Sequence, residues 1–203
     1  MENSRGKSIF HENVLNHTQW FSKNRMTTVV LNSEDVALAQ KIGKERQSVN
    51  VSKNIRNQNY SGRSDVDLHI QGAIGELAVM RFLRLDPVAM NYTNTNVNGA
   101  ENDRFDCTLN DGRTVDVKTT LKKYTSAVLQ TGMWKFVNPP DVFLYVLIDV
   151  LEHDKAIVEI KGGITSESLI QPDNLRKKST GQWMYRAVGG LQTLDELDIK
   201  AIK

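Results

Sequence analysis

The stretch "VFLYVLIDV", residues 142–150, is almost unbroken apolar sequence, rich in β-branched and aromatic residues and too short for a buried helix of ordinary length. It reads as a strand buried on both faces. Such a strand must lie inside a sheet with further layers above and below it, because neither of its faces tolerates water. That requirement rules out a simple helical bundle or a one-sided antiparallel sheet.

The remaining sequence supplies elements to surround it. "MTTVVLN" offers a short strand near residue 27, and "NSEDVALAQKIGKERQ" a helix capped by Asn32 or Ser33, with acids in its first turn and bases in its last. Residues 48–64 are rich in Asn and Ser and read as a long connection. A second helix starts near Ser64, with Asp67 three residues on, and runs through "DVDLHIQGAIGELAVMRFL". "PVAMNYT", "RFDCTL", "RTVDVKTT", "AIVEIKGGI" and "QWMYRAV" read as strands, "SESLIQPDNLRKK" as a short helix, and "TLDELDIKAI" as a terminal turn or helix. The expected class is α+β around one mixed sheet, in a single domain over residues 26–203 with residues 1–25 as an N-terminal extension.

Charge and cysteine usage narrow the setting. A net charge of +2 is a weak signal for nucleic acid, although residues 1–64 carry ten Lys/Arg against five Asp/Glu. One cysteine excludes an internal disulfide framework and fits a reducing compartment. With no apolar run of signal-peptide length at the N-terminus and none near the roughly 20 residues that span a bilayer, the expected location is cytoplasmic.

The chemistry concentrates in "RFDCTLNDGRTVDVKTT", residues 104–120. Side chains alternate along a strand, so Asp116 and Lys118 share one face and Val115 and Val117 the other. A two-residue Asp-Gly turn would set Asp106 against Val117 and mix the faces. A three-residue loop, Asn110-Asp111-Gly112 with Gly112 left-handed, sets Asp106 opposite Asp116, Cys107 opposite Val115 and Phe105 opposite Val117. Hydrophobic consistency selects the second register, which gathers two carboxylates and an ammonium on one face. Adjacent carboxylates repel unless a cation or a proton lies between them, and oxygen donors suit Mg²⁺ or Mn²⁺. An ordinary solvated face of charged pairs is the alternative.

On the second helix Glu76 shares its stripe with His69, Gly72, Ala73, Met80 and Leu83, so it points into packing. A buried carboxylate needs a partner: either the hairpin, which would make it a third ligand, or an arginine such as Arg81 or Arg104. Gly72 and Gly75 suggest close packing against that helix.

A helix-borne Glu76, then Asp106, then Asp116-Val117-Lys118 resembles the active-site signature of the PD-(D/E)XK nuclease superfamily, with "DLHIQGAIGELAVMRFL" and "VDVKTT" similar to a group of phage and prokaryotic members. Phe105 stands where the family name has Pro, and Asp116 takes the place of Glu. The resemblance implies a restriction-endonuclease-like mixed β-sheet core flanked by helices. It implies a Mg²⁺- or Mn²⁺-dependent deoxyribonuclease with Glu76, Asp106, Asp116 and Lys118 catalytic, and with Glu76, Asp106, Asp116 and the Val117 carbonyl as metal ligands. Thr119, Thr120, Lys122 and Lys123 would contact DNA, and a homodimer follows by analogy. A DNA-binding or assembly module without turnover on the same fold is the competing reading. Asp149, Glu159 and Lys161 repeat the spacing as a decoy, disfavoured because the apolar strand precedes them and Gly162-Gly163 reads as a strand end or bend.

Overall fold

In the computed structural model, residues 27–52, 64–86, 105–122, 130–132, 138–177, 181, 183–187 and 190–201 are described. They form, in chain order, β1 (Thr27–Leu31), α1 (Ser33–Ser52), α2 (Asp65–Leu83), β2 (Cys107–Thr108), β3 (Thr114–Leu121), β4 (Gln130–Gly132), β5 (Val142–Leu151), β6 (Ala156–Thr165), α3 (Ser166–Leu169), a 3₁₀ turn (Pro172–Asn174), β7 (Leu175–Lys177) and β8 (Trp183–Arg186). The class is α+β. A five-stranded mixed sheet has the order β1-β6-β5-β3-β2, with β3 and β5 parallel and the other neighbours antiparallel. A small sheet of order β4-β8-β7 accompanies it.

β5 lies at the centre of the large sheet, and Val142 to Ile148 are all buried. Leu144, Val146 and Ile148 join Val115 and Val117 of β3 in a core with Ala73, Ile74, Leu77 and Met80 of α2 and Val36 and Ala39 of α1. On the other face Phe143, Tyr145 and Leu147 pack with Ile164, Leu169 of α3 and Ala187 beyond β8. Each such side chain taken fully out of water contributes about 1.5–3 kcal/mol, which explains why an apolar run without alternation is stable only here.

The helices begin as their sequences direct. Asn32 Oδ1 accepts the Asp35 amide at 3.0 Å, and Ser64 Oγ accepts the Asp67 amide at 3.2 Å. α1 runs on to Ser52, so the connection expected from residue 48 starts later and the bases near residue 45 fall inside the helix. α2 ends at Arg84, whose φ of 56° is left-handed, and its amide returns to the Arg81 and Met80 carbonyls.

Two strand expectations change. β6 continues through Gly162-Gly163 to Thr165, because the glycines admit a close neighbour: Gly163 exchanges both backbone hydrogen bonds with Gln192, at 2.9 and 2.8 Å. Among the described residues, the "RFDCTL" segment is strand only at Cys107–Thr108. The N-terminal extension, the strand expected at 87–93 and residues 53–63 lie outside the described residues.

Candidate functional site

The hairpin carries the site, and its turn fixes the register. Gly112 has φ 89°, the Leu109 amide donates to the Arg113 carbonyl at 2.7 Å, and the Gly112 amide donates to the Leu109 carbonyl at 3.0 Å. Cys107 accordingly pairs with Val115 and Thr108 with Thr114, the register of a three-residue loop. The ladder then breaks. The Asp106 amide donates to the Val115 carbonyl at 2.7 Å, and the Val117 amide donates to Asp106 Oδ2 at 2.6 Å. The Asp106 carboxylate therefore takes the place of the next backbone partner, and Phe105, expected opposite Val117, is 39% exposed.

Asp116 is 2% exposed on the face of β3 that adjoins Phe143 of β5. Its Oδ2 lies 2.6 Å from Lys118 Nζ, and that ammonium also stands 5.9 Å from the centre of the Phe143 ring. The alternation of "DVK" thus makes an internal ion pair two residues apart.

Glu76 arrives from α2 because that helix touches β3 directly. A Cβ on Gly75 would lie 1.9 Å from Thr119 Oγ1, so only glycine permits the approach. The next residue, Glu76, is 8% exposed, and both its oxygens are held by Arg46 of α1: Nη1 donates to Oε1 at 2.8 Å and Nη2 to Oε2 at 2.7 Å. A partner arginine was legible from the burial of Glu76, but neither candidate is the one found. Arg81 donates instead to Asp35 Oδ1, at 2.9 Å from Nε, and Arg104 lies outside the described residues. No local pattern distinguishes Arg46 from the other bases of α1; the packing of α1 on α2 selects it.

These groups meet around Asp106. Burial, then the charges on Glu76 and Asp116, push its carboxyl well above the usual carboxylate range, against the pull of Lys118 and the Val117 amide. Burial pushes the Cys107 thiol up to about 12, with Asp106 and Glu76 adding to the shift, so this side chain is an inert core residue. His69 Nε2 accepts a hydrogen bond from Asn50 Nδ2 at 3.0 Å, and burial and Arg46 lower its pKa. The Asn50 amide nitrogen is a donor only, which assigns His69 Nε2 as the acceptor of a neutral ring.

The expected DNA contacts divide. Thr120 follows Lys118 along the same face of β3, whereas Thr119 turns to α2 with its hydroxyl buried against Gly75. Lys122 bridges the decoy acids, 2.9 Å from Asp149 Oδ2 and 3.1 Å from Glu159 Oε1, and Lys161 stands 3.5 Å from Glu159. Lys123 lies outside the described residues.

Three carboxylates, of which Asp106 feels the charge of both others, are a donor set of the chemistry that suits a hard divalent cation. In their present arrangement, however, no three acidic, imidazole or thiolate groups among the described residues are placed to hold a metal ion. Glu76 is committed to Arg46, Asp116 to Lys118 and Asp106 to the Val117 amide. A metal would enter by exchange with these partners.

Fold and site together define an α+β protein with a largely buried set of carboxylates, and a half-buried lysine, where a helix meets a mixed sheet. Residues 25–159 match the model of DUF5843, a family of unknown function, and the chain belongs to that family. No curated protein and no solved structure matches it. Among the described residues no helix is long and apolar enough to cross a membrane.

Proposed function

We propose that the chain is a Mg²⁺- or Mn²⁺-dependent deoxyribonuclease of PD-(D/E)XK type on a restriction-endonuclease-like scaffold. The observation that carries this reading is that Asp106, bound to the Val117 amide of β3, feels the charges of Glu76 on α2 and of the Asp116–Lys118 pair on β3. When bound, the metal would supply an activated water and neutralise charge on the scissile phosphate. Glu76, Asp106 and Asp116 would hold it, with the Val117 carbonyl as a further oxygen donor. Lys118, whose ammonium lies 2.6 Å from Asp116 Oδ2, would orient the attacking water and stabilise the extra negative charge of the transition state. Thr120 offers a hydroxyl on the same face for a phosphate oxygen.

A second reading has its own support. Arg46 and Lys118 already neutralise two of the three acids, as in a DNA-binding or assembly module that keeps the shape of the site without turnover. Hydrolysis of supercoiled plasmid, linear duplex, single strand and a four-way junction, in Mg²⁺, Mn²⁺ or EDTA, separates the two. The nuclease reading predicts metal-dependent products, lost with Asp116→Ala and reduced about a hundredfold or more with Lys118→Ala. Binding of these DNAs by the folded protein without products, in either metal, selects the module.

A further inference from the structure

Both oxygens of Glu76 are taken by one side chain. Arg46 and Glu76 form a two-pronged pair at 2.8 and 2.7 Å, with their side chains 12% and 10% exposed. A carboxylate held in this way can offer neither oxygen to a cation without breaking the fork. The guanidinium plane that matches a carboxylate matches a phosphate equally well, and it stays charged in both settings. No side chain backs the pair at Gly72, where a Cβ would sit 3.7 Å from Glu76 Oε1 and 3.9 Å from Arg46 Nη1. Arg46 also reaches the site from α1, on a stem with several rotatable bonds.

We propose that Arg46 is the phosphodiester-binding arginine of this site, held in reserve by Glu76. It neutralises Glu76 at rest, and its fork passes to the non-bridging oxygens of a bound phosphodiester when a divalent cation takes Glu76. This rests on the nuclease reading above. It has a thermodynamic consequence: a cation alone must break a largely buried ion pair, whereas a cation arriving with DNA leaves the guanidinium a new partner. Metal and DNA therefore bind cooperatively, and each tightens the other by the same factor.

The test is titration calorimetry of Ca²⁺ into the full chain, with and without a short DNA duplex, for wild type, Arg46→Lys and Asp116→Asn. In wild type the duplex is expected to tighten Ca²⁺ binding about tenfold or more. Arg46→Lys, which keeps the charge and loses the fork, is expected to bind Ca²⁺ more tightly than wild type without DNA and to lose most of the coupling. If Ca²⁺ binds wild type, is lost with Asp116→Asn, and binds Arg46→Lys with unchanged affinity and coupling, Arg46 is only a brace and the inference fails alone. If Ca²⁺ binds neither wild type nor Arg46→Lys, or binding survives Asp116→Asn unchanged, the nuclease reading fails and takes this inference with it. Should Arg46→Lys not fold, side-chain ¹⁵N spectra of the wild type decide: the Arg46 guanidinium signal shifts when Ca²⁺ and duplex are both present, and a signal that stays at its resting position at saturation overturns the proposal.

Discussion

Asp106 is held by opposing influences that a change of pH can separate. Its carboxyl is raised in the folded chain by burial, Glu76 and Asp116. A group raised on folding stabilises the fold below its unfolded pKa, about 4, and that contribution is lost as pH climbs through the folded value. Asp106→Asn keeps an oxygen for the Val117 amide and removes the ionisation. The variant should melt higher than wild type at pH 8, with the gain shrinking toward pH 4; an equal gain at both pH values would contradict the assignment. Cys107 is one strand position away, and with its thiol pushed up to about 12 it should resist iodoacetamide in the native protein at pH 8 and react after denaturation, as mass spectrometry would show. The pairing of Cys107 with Val115 was legible from alternation, because a one-residue slip would have exchanged the apolar and acidic faces. The break in the ladder at Asp106 was not legible: alternation cannot say that a side chain will replace a backbone partner.

The pairing of α2 with β3 sets the position of Glu76, and the two glycines of that helix separate contact from coincidence. Gly75→Ala would drive a Cβ into Thr119 and should destabilise the protein by about 1–3 kcal/mol, the usual cost of overpacking. Gly72→Ala meets only ordinary contact distances and should be neutral, or stabilising by up to about 1 kcal/mol through helix propensity. Urea unfolding of the two variants measures both; equal losses would mean that α2 does not approach β3 as described. The sequence marked both glycines alike, since composition reports that a helix is weakened but not what lies beside it. Arg46 escaped the same reading because its partner is 30 residues away on another helix, and the pair is chosen by how α1 crosses α2. The decoy shows the converse. Asp149, Glu159 and Lys161 copy the spacing of the hairpin motif, yet in space Lys122 ties Asp149 and Glu159 together as a brace across β3, β5 and β6.

At the scale of the molecule, the doubly buried β5 determines the layers, and the layers decide which acids can meet. One face of the sheet belongs to α1 and α2 and the other to α3 and the segment beyond β8. Asp106 lies where the β2–β3 ladder ends, and there it feels the charges of Glu76, from the helix side, and of Asp116, from the other. The α+β class and the central strand were readable from hydropathy. The second sheet was not, since β4 and β7 are only three residues each and carry no alternation to recognise. The proposed function requires these carboxylates to form one cation site, and crystals grown with Mn²⁺ and a short duplex test that most directly through the anomalous signal of the metal. The expected result is a peak at about 2–2.2 Å from carboxylate oxygens of Asp106 and Asp116, with Glu76 turned from Arg46 to join them. A map without such a peak at saturating Mn²⁺, with the Arg46–Glu76 and Lys118–Asp116 pairs intact, would contradict it.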